Sequence, residues 1–271
     1  MKEPKHIKKC REIVLKLEKM EYFSAILHLY EKKYDDIVNE LIEDGKKKDE
    51  AKKEAYKIIL SHLHDLMREA EGSIEKVIND KISKGKIKDA SQTRKSVAGN
   101  LFQQLIAYTL AKNIIEKNID KKVVVSLSAN ILNEYAVIKV GEDEQKPDSD
   151  ILVYSVEDET SPIINFSCKT SCRERAGQTY KWKLLSDLAT CSCAHKKGNK
   201  DCPVNKYGLE YNPKRKVYMC FITADFYDEI KNKQIVAMFN FFDNSYVAKT
   251  VSSAETVKTL QNVIDDINNY Y

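Results

Sequence analysis

Two short runs of this sequence carry residue types that together could hydrolyse a phosphodiester bond: Pro147-Asp148-Ser149-Asp150, and Ser167-Cys168-Lys169 further on. Asp148 and Asp150 stand two apart, so on an extended strand both project from one face. Either carboxylate can hold a hard divalent cation such as Mg2+ through oxygen. Lys169 closes a second β-rich run, where its ammonium can contact an attacking water or the scissile phosphate. Phosphodiester hydrolysis needs those parts: a metal ion to neutralise phosphate charge and lower the pKa of water, and a cation to orient the nucleophile. Taken alone the set is not decisive, because aspartates before a strand and a lysine at a strand end also serve ordinary turns.

The continuation Lys169-Thr170-Ser171-Cys172-Arg173-Glu174-Arg175 adds a second kind of chemistry. Arginine pairs bidentately with O6 and N7 of guanine, and glutamate accepts from N4 of cytosine. Arg173, Glu174 and Arg175 therefore carry a set suited to G·C pairs in the major groove. In isolation such a triplet would be a solvated salt-bridge cluster; its place directly after Lys169 gives it the other meaning.

These runs resemble the PD-(D/E)xK nucleases and, among them, the type II restriction endonucleases that recognise CCGG-centred sites, of which BsaWI is the nearest type. The resemblance implies that Asp148 or Asp150 binds Mg2+, that Lys169 assists the nucleophile, and that Arg173, Glu174 and Arg175 read C·G pairs. Ser167 stands where many nucleases of this kind have an acid, as it often does in the CCGG-cutting group. The first catalytic-domain helix of such enzymes is similar to Gly99-Asn100-Leu101-Phe102-Gln103-Gln104, with Gln103 where a glutamate is expected. Asp187, on a downstream helical run, is a further source for the missing carboxylate. The implied partners are double-stranded DNA, a second copy of the chain that matches a palindrome by two-fold symmetry, and a host methyltransferase that protects the same site.

A weaker constellation, Cys191, Cys193, His195 and Cys202, collects the ligand types of a structural Zn2+ site, although its spacing matches no common finger. His62 and His64 fall on different faces of a helix and form no ligand pair. Cys168 and Cys172 flank Lys169 without a nearby histidine, so packing is their expected role.

The elements that must position these residues are legible in outline. Apolar positions Ile13, Leu17, Phe23, Ile26, Leu27 and Tyr30, and then Tyr56, Ile59, Leu60, Leu63 and Met67, recur at helical spacing. Residues 1–85 are expected to be an α-helical domain that serves dimer or DNA contacts, and residues 86–271 an α/β catalytic domain, with the charged link 84–88 between them. A helix over 97–108 precedes β-rich runs at 123–127, 136–140, 150–154, 163–168, 217–222 and 235–239, and helical spacing returns at 182–189 and 254–267. The fold class expected is α/β: a mixed β-sheet flanked by helices, a restriction-endonuclease-like core.

With 45 Lys+Arg against 41 Asp+Glu the net charge is only +4, so any basic footprint must be local. Seven cysteines and no secretory pattern favour reduced thiols in a cytoplasmic protein. Two rival functions fit the same residues: a repair or structure-selective nuclease of this fold, and a non-catalytic DNA-binding regulator.

Overall fold

The computed structural model describes residues 3–190, 202–211 and 215–271, and only the backbone of residues 173–178. Five helices open the chain: α1 (Lys5–Glu18), α2 (Glu21–Glu43), α3 (Lys48–Ile58), α4 (Leu63–Glu69) and α5 (Glu71–Ser83). They pack around a sixth, α6 (Ala90–Ile115), whose start is capped by the Asp89 carboxylate accepting from the Gln92 N–H at 2.9 Å. Every residue of α6 from Leu105 to Ala111 is buried, so this helix has lost its polar face and lies enclosed. Its two buried polar residues are satisfied: Thr109 donates to the Leu105 carbonyl and meets the Tyr30 hydroxyl, and Asn113 donates to the carbonyls of Tyr56 and Thr109.

After α6 come β1 (Val123–Ser126), α7 (Leu132–Tyr135), β2 (Ile138–Val140), β3 (Asp143–Gln145), β4 (Ile151–Ser155) and β5 (Ile163–Lys169). Next are α8 (Arg173–Ala189), α9 (Pro203–Lys206), β6 (Leu209–Glu210), β7 (Val217–Thr223), α10 (Lys233–Phe239), β8 (Asn244–Val247), β9 (Lys258–Thr259) and α11 (Val263–Tyr270). The main sheet runs β1-β4-β5-β7-β8-β9, with β1, β4 and β5 antiparallel and β5, β7, β8 and β9 parallel. A small antiparallel sheet, β3-β2-β6, stands apart from it.

All seven residues of β5 are buried, as a strand covered on both faces requires. Ile164, Phe166 and Cys168 face the cluster that also holds α6, whereas Ser167, on the other face, lies 3.5 Å from Thr179 of α8. The architecture is therefore the mixed sheet flanked by helices that the sequence implies, with a helical region before it. The link at 84–88 is a turn, and the helices on its two sides share one buried cluster reaching from Cys10 to Ile267.

Two expectations are corrected. The run 235–239 is not a strand but helix α10, started by the Asn232 side chain accepting from the Gln234 N–H at 2.9 Å. Ile235, Met238 and Phe239 keep a helical stripe against Phe221, and a short apolar run carries no periodicity long enough to tell the two apart. The run 254–267 is not one helix: β9 adds to the sheet edge at Lys258–Thr259, a 3-10 turn follows at Leu260–Asn262, and only then does α11 begin. Among the described residues no helix is long and apolar enough to cross a membrane.

Candidate active site

The antiparallel pairing of β4 with β5 places the start of one strand beside the end of the other. Asp150 immediately precedes β4, and its N–H extends the ladder to the Phe166 carbonyl at 3.1 Å. Its carboxylate is thereby fixed next to the last residues of β5. Asp150 Oδ2 accepts from the Cys168 backbone N–H at 2.7 Å and from Lys169 Nζ at 2.7 Å, and Oδ1 accepts from Gln103 Nε2 of α6 at 2.7 Å. Lys169 Nζ also donates to Asp148 Oδ2 at 3.0 Å. Asp150 is 12% exposed and Asp148 54%, so the cluster opens to solvent on the Asp148 side.

Burial works against the Lys169 ammonium, yet the carboxylates of Asp150 and Asp148 outweigh it and raise its pKa above the ordinary lysine value. Lys169 is a cation here at any neutral pH. Two carboxylates against one ammonium leave negative charge facing solvent, and every ligand offered at this point is a hard oxygen, which suits Mg2+ rather than a thiophilic metal. Gln103 adds no charge. As a donor to Asp150 it does what a glutamate at that position could not do while ionised.

A family model, BsaWI restriction endonuclease type 2, matches residues 119–270, more than half of the chain. The chain belongs to this family. The BsaWI family is one of DNA-cleaving type II enzymes, and the matched span holds Asp148, Asp150, Lys169 and the whole of α8. Gln103 reaches the cluster from outside that span, on α6. Among solved structures, a "Restriction endonuclease PspGI-substrate DNA complex" is similar at 15% identity and a TM-score of 0.49, covering 96% of this chain and 92% of that one. No curated protein sequence matches the chain.

Of the site residues expected from sequence, Asp148, Asp150, Lys169 and Gln103 come together. Ser167 lies on the same strand face as Lys169, two residues before it, and lines a small cavity with Pro147, Asp148 and Asn165. Asp187 does not join them: it is 56% exposed on α8 and accepts from Lys183 at 2.6 Å. Arg173, Glu174 and Arg175 fall in the first turn of α8, and their side chains lie outside the described residues.

Cys191, Cys193 and His195 also lie outside the described residues. Cys202 is buried with Ile138, Ala189, Val204 and Leu209, an apolar setting that lends no support to Zn2+. His64 meets the Ala224 carbonyl through Nδ1 at 2.6 Å, a structural contact. Burial raises the Cys168 thiol well above its ordinary pKa and pushes Cys172 up to about 12, so neither is a ready nucleophile.

One residue of the site escapes sequence reasoning. Asn165 is 3% exposed on the Ser167 and Lys169 face of β5 and donates Nδ2 to the Asp148 carbonyl at 3.1 Å, tying down the turn that presents the Asp148 carboxylate. The signal was a polar residue at every second position, Asn165, Ser167 and Lys169, in an otherwise apolar strand.

Proposed function

We propose that this member of the BsaWI family is a Mg2+-dependent type II restriction endonuclease that acts as a homodimer on a short palindromic duplex site containing CCGG. The observation that carries the reading is the convergence of Asp148, Asp150, Lys169 and Gln103 from three separate elements on one solvent-facing point. Asp150 and Asp148 would hold Mg2+ through carboxylate oxygen. A bound ion there supplies neutralisation of the phosphate and a lower pKa for water.

Lys169, whose ammonium form both carboxylates favour, orients the attacking water and contacts the scissile phosphate. Gln103 and the Cys168 N–H hold Asp150 in place by hydrogen bonds. Ser167 leaves the cavity beside Asp148 free of a further charge. At the start of α8, Arg173 and Arg175 bond guanine and Glu174 accepts from cytosine. Two-fold pairing of the chain would cut one strand per subunit, and a host carrying the enzyme needs a methyltransferase of the same specificity.

Incubation of purified protein with unmethylated plasmid and Mg2+, followed by end-sequencing, tests this. Discrete fragments with ends at CCGG-containing palindromes, abolished by EDTA, are expected. Nicking that follows DNA structure rather than sequence, or no cleavage with any divalent ion, would overturn it.

A further inference from the structure

Past Lys169 the chain leaves the sheet, and what fixes its path is the loop that follows β7, residues 224–229. The Ala224 N–H donates to the Lys169 carbonyl at 3.0 Å and the Phe226 N–H to the Thr170 carbonyl at 3.2 Å. Cys172, the residue from which α8 departs, donates its backbone N–H to the Glu229 carboxylate and its thiol to Thr223 Oγ1 at 3.2 Å. Glu229 is 6% exposed, and its own N–H is held by Asp225 Oδ1 at 2.6 Å. Lys249 balances the buried Asp225 at 2.9 Å and bonds Asp228 at 2.8 Å.

The loop is over-determined. Asp225 and Asp228 both adopt left-handed backbone, φ +52° and +53°, which persists only where neighbours enforce it. From the opposite side α4 secures the loop as well, with His64 on the Ala224 carbonyl and Arg68 donating to the Phe226 carbonyl at 2.6 Å. Cys172, Asp225 and Glu229 bring a thiol and two carboxylates within 4.8 Å of one another. Within this group Lys249 pairs with Asp225, and the thiol is engaged as a donor to Thr223.

We propose that Glu229 is a positioning residue for sequence discrimination, its carboxylate setting where α8 begins relative to Lys169. The inference rests on the reading of Arg173, Glu174 and Arg175 as base contacts. Lys169 is paired with Thr223 in the β5-β7 ladder and keeps its place without Glu229. Among the described residues the backbone at Cys172 has no ladder partner. Loosening it shifts the start of α8 while the Asp150–Lys169 pair stays intact, and hydrogen bonds to base edges fail over a few tenths of an ångström.

The test compares wild type, Glu229→Ala and Glu229→Gln on plasmid with Mg2+, counting by end-sequencing the cuts at the wild-type site against cuts elsewhere. Circular dichroism reports the folded fraction. Glu229→Gln retains an oxygen for the Cys172 N–H and is expected to keep the wild-type ratio. Glu229→Ala is expected to lower that ratio by about tenfold or more, the scale of one lost base contact, while cutting elsewhere persists.

An unchanged ratio in Glu229→Ala, or a proportional loss of cutting at all sequences, overturns the proposal. Should Glu229→Ala not fold, Glu229→Asp, which keeps the charge but falls one methylene short, carries the same comparison with the same two outcomes. A wild type with no Mg2+-dependent cleavage removes the functional reading itself, a result distinct from either.

Discussion

At Lys169 burial and charge pull in opposite directions, and charge wins because two carboxylates meet one ammonium. Removing one partner of such a buried pair leaves the other uncompensated, which costs on the order of 3 kcal/mol. Lys169→Ala is therefore expected to lose cleavage by at least about a hundredfold and to melt earlier, with Mg2+ recovering part of the lost stability by taking over the vacated charge. Calorimetry with and without Mg2+ checks this; a variant as stable as wild type would contradict the pair's energetic role. Asn165→Leu should act differently. Its Oδ1 has no hydrogen-bond partner among the described residues, so only the bond to the Asp148 carbonyl is lost, at a cost of about 1 kcal/mol. The Mg2+ concentration for half-maximal cleavage should rise several-fold, and an unchanged metal titration would show that the turn holds itself. The meeting of Asp148, Asp150 and Lys169 was legible because their types and their places at strand ends suggest one cluster. Asn165 and Glu229 were not, since each acts on a backbone group of another element and a one-dimensional pattern does not say which.

Among the elements, β5 is where the antiparallel half of the sheet meets the parallel half, and its register against β4 decides whether Asp150 faces Lys169 at all. That register is closed at the hairpin end by Arg215, 2% exposed, which donates to the Ser161 carbonyl at 2.7 Å and also to Ser161 Oγ and the Pro162 carbonyl. Arg215→Met strips those acceptors of their donor and is expected to destabilise the fold by roughly 3 kcal/mol. Cleavage by the surviving folded fraction should stay near normal; activity lost at full folding would place Arg215 in the site instead. The strands β1, β4, β5 and β7 were readable because runs of branched residues sit between polar turns. The misread segments share another feature: α10 and the β9 to α11 stretch are short, and their form is chosen by what they pack on, Phe221 and the sheet edge, rather than by local preference.

Over the whole molecule the change of texture near residue 85 is a change of composition, while the buried side chains continue across it. α1 lies against α6 and β1, its Cys10 facing the Val123 carbonyl, and Lys57 of α3 is paired with Asp265 of α11 at 2.7 Å. Thermal or urea unfolding is expected to be a single transition by fluorescence and circular dichroism alike, and two separated transitions would show that the helices melt on their own. Part of the near balance of 45 basic and 41 acidic residues goes into such pairs across elements, among them Arg94 with Glu75 and Lys249 with Asp225. The position of Lys169 at the β5-β7 junction also bears on time. Asp150 finds β5 through a nearby hairpin, but Lys169 is clamped by Thr223 and Ala224, and the Asp150 carboxylate is completed by Gln103 of α6, all pairings between distant stretches of chain that close slowly. During refolding from urea, metal-dependent cleavage should return with the slowest phase rather than with the first gain of helix. A newly made chain would then acquire a helical body well before it can harm the genome that encodes it.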